Sequence, residues 1–180
     1  MASIDRGRVA AYFKRGDDAE TSHEKGKALE DLIAYLFARI PGLEESARNS
    51  LNAFGAQEID VAFWNEQVRD GLRQFDHLLI VECKNWDTPV GDGELSIFRE
   101  KLRSRGRPLG ILVAACGITG EPGRQNRAHQ QLASCLTEGR EILVVTRKEI
   151  EALGDSDQLV KLLKQKRLQL AVSGAIFEAQ

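Results

Sequence analysis

The chain has 180 residues, enough for one domain to bury a real core, and its 42% apolar and 29% charged content is that of an ordinary globular protein. A formal net charge of −2 excludes a chain that is basic throughout, so any contact with nucleic acid has to come from a local basic strip. No apolar run is long enough to span a bilayer, Met1 to Arg15 lacks the apolar stretch of a signal peptide, and the three widely spaced cysteines fit reduced thiols, which together lead to the expectation of a cytoplasmic protein away from membranes.

In chain order, residues 1–22 read as an N-terminal arm with a short helix-like piece from Val9 to Lys14. Thr21 or Ser22 caps the next helix, with Glu24 or Lys25 in its first turn. Leu29, Leu32, Ile33, Leu36, Phe37 and Ile40 then fall at helical spacing, and Pro41-Gly42 stops the helix. Ser46 to Leu51 is a weak strand. Gln57 to Trp64 alternates, with Ile59, Val61 and Phe63 on one face and Asp60, Ala62 and Trp64 on the other. Asp70-Gly71 signals a turn. His77 to Lys84, within the stretch Phe75 to Trp86, reads as a strand buried on both faces.

Gly91 to Gly106 is an arginine-rich helix closed by Gly106 and Pro108, and Leu109 to Cys116 is a further buried strand. Glu121 to Gly139 is a helix with Pro122 near its first turn, and Glu141 to Thr146 a last strand. Short helices follow at Lys148 to Leu153 and Asp157 to Gln169. This order predicts an α/β fold, with helices flanking a mixed central sheet that is antiparallel first and parallel later. The expected organisation is an arm over 1–22, a core domain over 23–155 and a C-terminal helix and tail over 156–180.

Three acids and a lysine carry the chemistry. Asp60 interrupts an apolar alternating strand. Glu82 and Lys84 end the next one, two residues apart and therefore on one face, with Cys83 turned away as a buried apolar residue. A hairpin joining the two strands places Asp60 beside Glu82. Neighbouring carboxylates repel, and a hard divalent cation resolves the repulsion with oxygen ligands. Asp60, Glu82 and the backbone carbonyl of Cys83 supply such a set. Lys84 would then stand beside the attacking water and the phosphate. Glu30 lies at the edge of the apolar stripe of the first long helix, where a carboxylate reaches the helix–sheet boundary, whereas Asp31 points outward.

These residues resemble a known family. Glu24-Lys25-Gly26-Lys27-Ala28-Leu29-Glu30, Glu58-Ile59-Asp60-Val61 and Val81-Glu82-Cys83-Lys84-Asn85-Trp86 are similar to the motifs of the PD-(D/E)xK nuclease superfamily, in its Mrr-like restriction endonuclease branch. The resemblance spans about residues 22 to 150. It implies a restriction-endonuclease-like αβββαβ core and magnesium-dependent hydrolysis of DNA phosphodiester bonds, with manganese as a substitute and a role in defence against foreign DNA. By position it makes Asp60 and Glu82 metal ligands, Lys84 the catalytic lysine and Glu30 an auxiliary acid. Two departures are visible: Ile59 stands where proline is common, and the helix Gly93 to Arg99 lacks the glutamine of many relatives.

Outside that constellation, Arg99, Arg103 and Arg107 recur every fourth residue and are set to line one side of a helix and meet phosphates. Arg124, Arg127 and His129 are a weaker version of the same pattern. Trp64 and Trp86 are expected to be packing residues. With no separate recognition module, the chain is expected to act on DNA as a homodimer or within a larger assembly. The competing expectation is a non-catalytic nucleic-acid-binding or scaffold domain that keeps the nuclease fold.

Overall fold

A computed structural model describes residues 2–51, 58–120 and 127–174. Two helices open the chain, α1 (Arg6–Asp17) and α2 (Ser22–Phe37). Three strands follow, β1 (Leu43–Leu51), β2 (Glu58–Asn65) and β3 (Leu78–Lys84). Then come α3 (Asp92–Ser104), β4 (Leu109–Ala114), α4 (Arg127–Thr137), β5 (Glu141–Val145), α5 (Arg147–Glu151) and α6 (Ser156–Ser173). From α2 to β4 the order is the expected αβββαβ.

The five strands form one sheet in the order β1-β2-β3-β4-β5. The first two pairings are antiparallel and the last two parallel, so the sheet is mixed as expected. The change of direction follows from the connections. A short turn region returns the chain from β2 to β3, whereas the β3–α3–β4 and β4–α4–β5 crossovers carry it back to start again in the same sense. All six residues of β4 are buried, as a central strand covered on both faces requires.

Thr21 is the cap of α2, accepting from the Glu24 amide while Glu24 reaches back to the Thr21 amide. Every residue of the expected apolar stripe, Leu29 through Ile40, is buried. Phe37 stacks on Phe63 at 5.0 Å between ring centroids, which lays α2 over the face of β2 and β3 that carries Val61, Phe63, Leu79, Val81 and Cys83. The chain leaves α2 through Gly42, whose φ of +74° suits a residue without Cβ. On the other face α3 lies so close to β4 that a Cβ on Gly110 would come within 2.6 Å of Phe98. Since Gly110 pairs with Ile80, this is the face of Ile80, Glu82 and Lys84.

Several elements run longer than their sequence pattern. Strand β1 begins at Leu43 rather than Ser46, because it is an edge strand whose outward Glu44 and Glu45 hide the alternation. The first helix spans Arg6–Asp17, beyond Val9 to Lys14, with Asp5 as its cap and Val9, Phe13 and Gly16 as its buried side. Helix α6 extends to Ser173, where Gly174 closes it in the left-handed conformation. Residues 121–126, with Pro122 and Arg124 of the expected fourth-helix start, lie outside the described residues, as do Gln57 and the tail 175–180.

Candidate active site

The site forms where β2 and β3 run out of sheet. The last described pairs of the hairpin are Trp64↔Leu78 to Val61↔Val81. One step further the register sets Asp60 opposite Glu82, and there a side chain takes over from the ladder: Asp60 Oδ2 accepts from the Cys83 amide at 2.7 Å. Asp60, Cys83 and Lys84 line a cleft of about 510 Å³ together with Glu30 and the first turn of α2. The hairpin therefore brings Asp60 to the Glu82–Lys84 strand, and α2 delivers Glu30 to the same opening.

Asn85 fixes that meeting point. It is buried just past β3, and its Nδ2 donates to the Lys25 carbonyl in α2 at 2.9 Å. Lys25 spans the mouth of the cleft to Asp87, with Nζ at 2.6 and 2.7 Å from the two carboxylate oxygens.

The acids are electrostatically loaded. Burial raises the Asp60 carboxyl to a pKa of about 6, with the negative charge of Glu82 adding to the effect and the Cys83 amide opposing it. Burial also raises Glu30, against a hydrogen bond from Asn49 and the charge of Arg48. Glu30 Oε2 is buried with no hydrogen-bond partner. Burial would lower Lys84, but the charge and hydrogen bond of Glu82, with Asp60, outweigh it and raise its pKa. The Cys83 thiol is pushed well above its usual value by burial, in keeping with an unreactive apolar role.

Glu82 is 2% exposed and is met by two lysines. Lys84 Nζ lies 2.9 Å from Oε1. Lys101 of α3 approaches both oxygens, at 2.8 and 2.7 Å. Nothing in the arginine-rich composition of α3 singles out Lys101. Its signal is positional: Leu95, Phe98 and Leu102 make the buried stripe of α3, and Lys101 falls inside it, three residues after Phe98. Asp31, read as pointing outward, is held by Arg15 and Arg48.

The arginine stripe does not form as one helical face. Helix α3 ends at Ser104, and Gly106 turns the chain with φ +61°, so Arg107 leaves the i, i+4 series. Arg99 pairs with Glu138 at 3.4 Å, Arg103 with Glu100 at 2.7 Å and Arg107 with Asp76 at 3.2 Å. Asp76 precedes β3, so Arg107 stands at the opposite end of that strand from Lys84, on the order of 20 Å away for seven residues. Both tryptophans are partly exposed rather than packed away, Trp64 at 43% and Trp86 at 40%. Trp64 stacks on His77, and Trp86 lines the cleft with Lys84 Nζ 5.7 Å from its ring centroid.

Among the described residues no three His, Cys, Asp or Glu side chains are grouped closely enough to hold a metal by themselves. The donor set nevertheless suits a hard cation. Glu30 presents an unpartnered buried oxygen, and Asp60 carries repulsion from Glu82 that a cation would relieve. The Cys83 carbonyl and water would complete the shell, because such ions commonly retain waters.

Comparison with known proteins adds little beyond this geometry. No protein-family model matches the chain, and no curated protein matches it. One similar solved structure is that of SfsA from Pyrococcus furiosus in complex with Ca2+, at 16% identity, a TM-score of 0.36, and coverage of 67% of this chain. This chain spans 55% of the length of that one. Among the described residues no helix is long and apolar enough to cross a membrane.

Proposed function

We propose that the chain is a divalent-metal-dependent endonuclease that hydrolyses phosphodiester bonds of DNA, with magnesium as the ion and manganese able to replace it. The observation that supports this most is the convergence of Glu30, Asp60 and Lys84 on one cleft, with Glu82 beneath them. Asp60 and Glu82, with the Cys83 carbonyl, would hold the ion, and Glu30 would hold a water of its shell. When bound, the ion would supply Lewis-acid polarisation of the phosphate and a lowered pKa for water.

The chain's own groups do the positioning. Lys84 is cationic, faces the cleft, and is placed to donate to a phosphate oxygen where charge grows during attack. Asp60 is held by the Cys83 amide, so its second oxygen faces a fixed direction. The nuclease-family resemblance adds defence against foreign DNA as the setting, with a homodimer or larger assembly supplying the target.

Supercoiled plasmid incubated with magnesium or manganese tests the reading. Nicking or linearisation is expected, and Asp60→Ala or Lys84→Ala should lower it at least ~100-fold while leaving the circular dichroism spectrum unchanged. Cleavage that survives both substitutions would sink the site assignment. One observation favours the competing reading, a non-catalytic nucleic-acid-binding or scaffold module. Two lysines already balance Glu82, as in a purely structural ion-pair network. Absence of cleavage of both DNA and RNA with every divalent ion tried, combined with retained binding, would establish that module instead.

A further inference from the structure

A carboxylate as deeply buried as Glu82 needs a counter-charge, since an isolated ion in the interior is strongly disfavoured. It has two, and they are not equivalent. Lys84 lines the cleft and has a quarter of its side chain exposed. Lys101 comes from inside the α3 stripe, is not among the residues lining that cleft, and has 10% of its side chain exposed. It contacts both oxygens of Glu82, at 2.8 and 2.7 Å, and Lys84 approaches Oε1 at 2.9 Å.

We infer that Lys101 is a positioning residue: it is the standing counter-ion of Glu82, fixing that carboxylate and setting how strongly the site attracts a cation. The inference rests on the metal-dependent reading of the site. Its physical content is a division of labour. If Lys84 were the only partner, moving it toward a phosphate would strand a buried charge. With Lys101 bound to both oxygens, Lys84 can leave Glu82 at small cost. The same ammonium, within 3 Å of a ligand carboxylate, weakens the site's pull on a divalent ion. A site poised in this way holds its ion loosely until a phosphate adds negative charge.

Binding of manganese alone, followed by calorimetry, tests the inference without any turnover. In Lys101→Met the dissociation constant for Mn2+ should fall at least ~5-fold, because a positive charge beside a ligand is gone. Lys101→Arg keeps the positive charge beside Glu82 and should stay within about 2-fold of the wild type. Cleavage should split the other way. Lys101→Met should lose kcat, with Lys84 now held by Glu82, while KM for plasmid stays near the wild-type value. Lys101→Arg should restore most of the rate.

A merely structural lysine would change the unfolding midpoint of the metal-free protein and leave Mn2+ affinity untouched. Equal Mn2+ affinity in the wild type and Lys101→Met therefore overturns the inference, even if the plasmid assay upholds the nuclease. Should Lys101→Met fail to fold, Lys101→Gln, which can still donate to Glu82, carries the same expectation of tighter Mn2+ binding. Wild-type protein that binds no Mn2+ overturns the metal reading and this inference with it.

Discussion

Asp60 shows how a single residue can serve the site at the expense of the fold. Its carboxyl has a pKa of about 6 in the folded chain against 3.8 as a free side chain, because burial and Glu82 both disfavour the charge. A folded-state pKa above the unfolded one means that the native protein binds the proton more tightly. The stability Asp60 contributes is therefore complete below about pH 4 and is lost as pH rises through about 6. Asp60→Asn preserves an acceptor for the Cys83 amide and removes the charge. It should abolish cleavage yet raise stability at pH 8 by about 1–2 kcal/mol, roughly 2–8 °C in unfolding midpoint, with the gain shrinking as pH falls and gone below about pH 4. Calorimetric melts at the two pH values measure this. A variant less stable than the wild type at pH 8 would show that Asp60 is satisfied as it stands and has no need of a cation.

Elements hold these residues in place, and the contact of α3 with β4 matters most because it brings Lys101 to Glu82. Gly110 is a point of close approach: an added Cβ would meet Phe98 at 2.6 Å and both Leu102 methyls at 2.8 Å. Gly110→Ala should cost about 1–3 kcal/mol in urea unfolding and lower cleavage as Lys101 is drawn from Glu82. Unchanged stability would mean that α3 yields easily and does not fix Lys101. The strands of this frame were legible in the sequence. Continuous apolar runs gave β3, β4 and β5, and the two-residue period of β2 put Asp60 on the face of Glu82 and Lys84. Lys101 was not, because lysines are read as solvated and its place in the stripe emerges only when Phe98 and Leu102 are seen buried around it. Arg107 misled for a related reason: a four-residue repeat continues across Gly106 on paper, whereas the helix stops two residues earlier. A second buried pair joins α5 to α6, Lys166 Nζ to Glu149 Oε1 at 2.5 Å with both side chains almost fully enclosed. Lys166→Ala should cost about 3–5 kcal/mol, and pairing Lys166→Met with Glu149→Gln, whose amide oxygen still accepts from the Thr146 amide, should return much of it, as expected when an uncompensated charge is the penalty. Urea titration of the two variants separates this from simple loss of packing, where the double variant would be no better than the single one.

Among the described residues, the apolar interior forms a cluster that runs from the first helix to the last. Ile4, Val9 and Phe13 belong to it together with residues of α2, the sheet, α5 and α6. The segment before α1 is tied to the turn between α5 and α6 as well. The Ile4 amide donates to the Gly154 carbonyl at 3.0 Å, and the Ser156 amide to the Ala2 carbonyl at 2.9 Å. Arg147 of α5 lies 4.4 Å from the centroid of the Phe13 ring and pairs with Asp17 at 2.8 Å. Helix α1 also reaches the cleft indirectly, because Gly16 packs against Asn85, and a Cβ there would stand 2.6 Å from its Nδ2. Asn85 in turn holds the β3 exit to α2. Each of the three buried apolar side chains is worth roughly 1.5–3 kcal/mol, so their joint loss rivals the roughly 5–15 kcal/mol that stabilises a domain. Deleting residues 1–18 should therefore leave a chain that is largely unfolded or aggregated at 37 °C and does not cleave plasmid. Phe13→Ala gives the milder form: about 3–5 kcal/mol lost in urea unfolding, with cleavage at 20 °C kept within about 3-fold because the cleft residues themselves are untouched. A truncated chain that melts within 3 °C of the full one would make α1 an appendage, and the route from Phe13 and Gly16 through Asn85 to the site would then carry no weight.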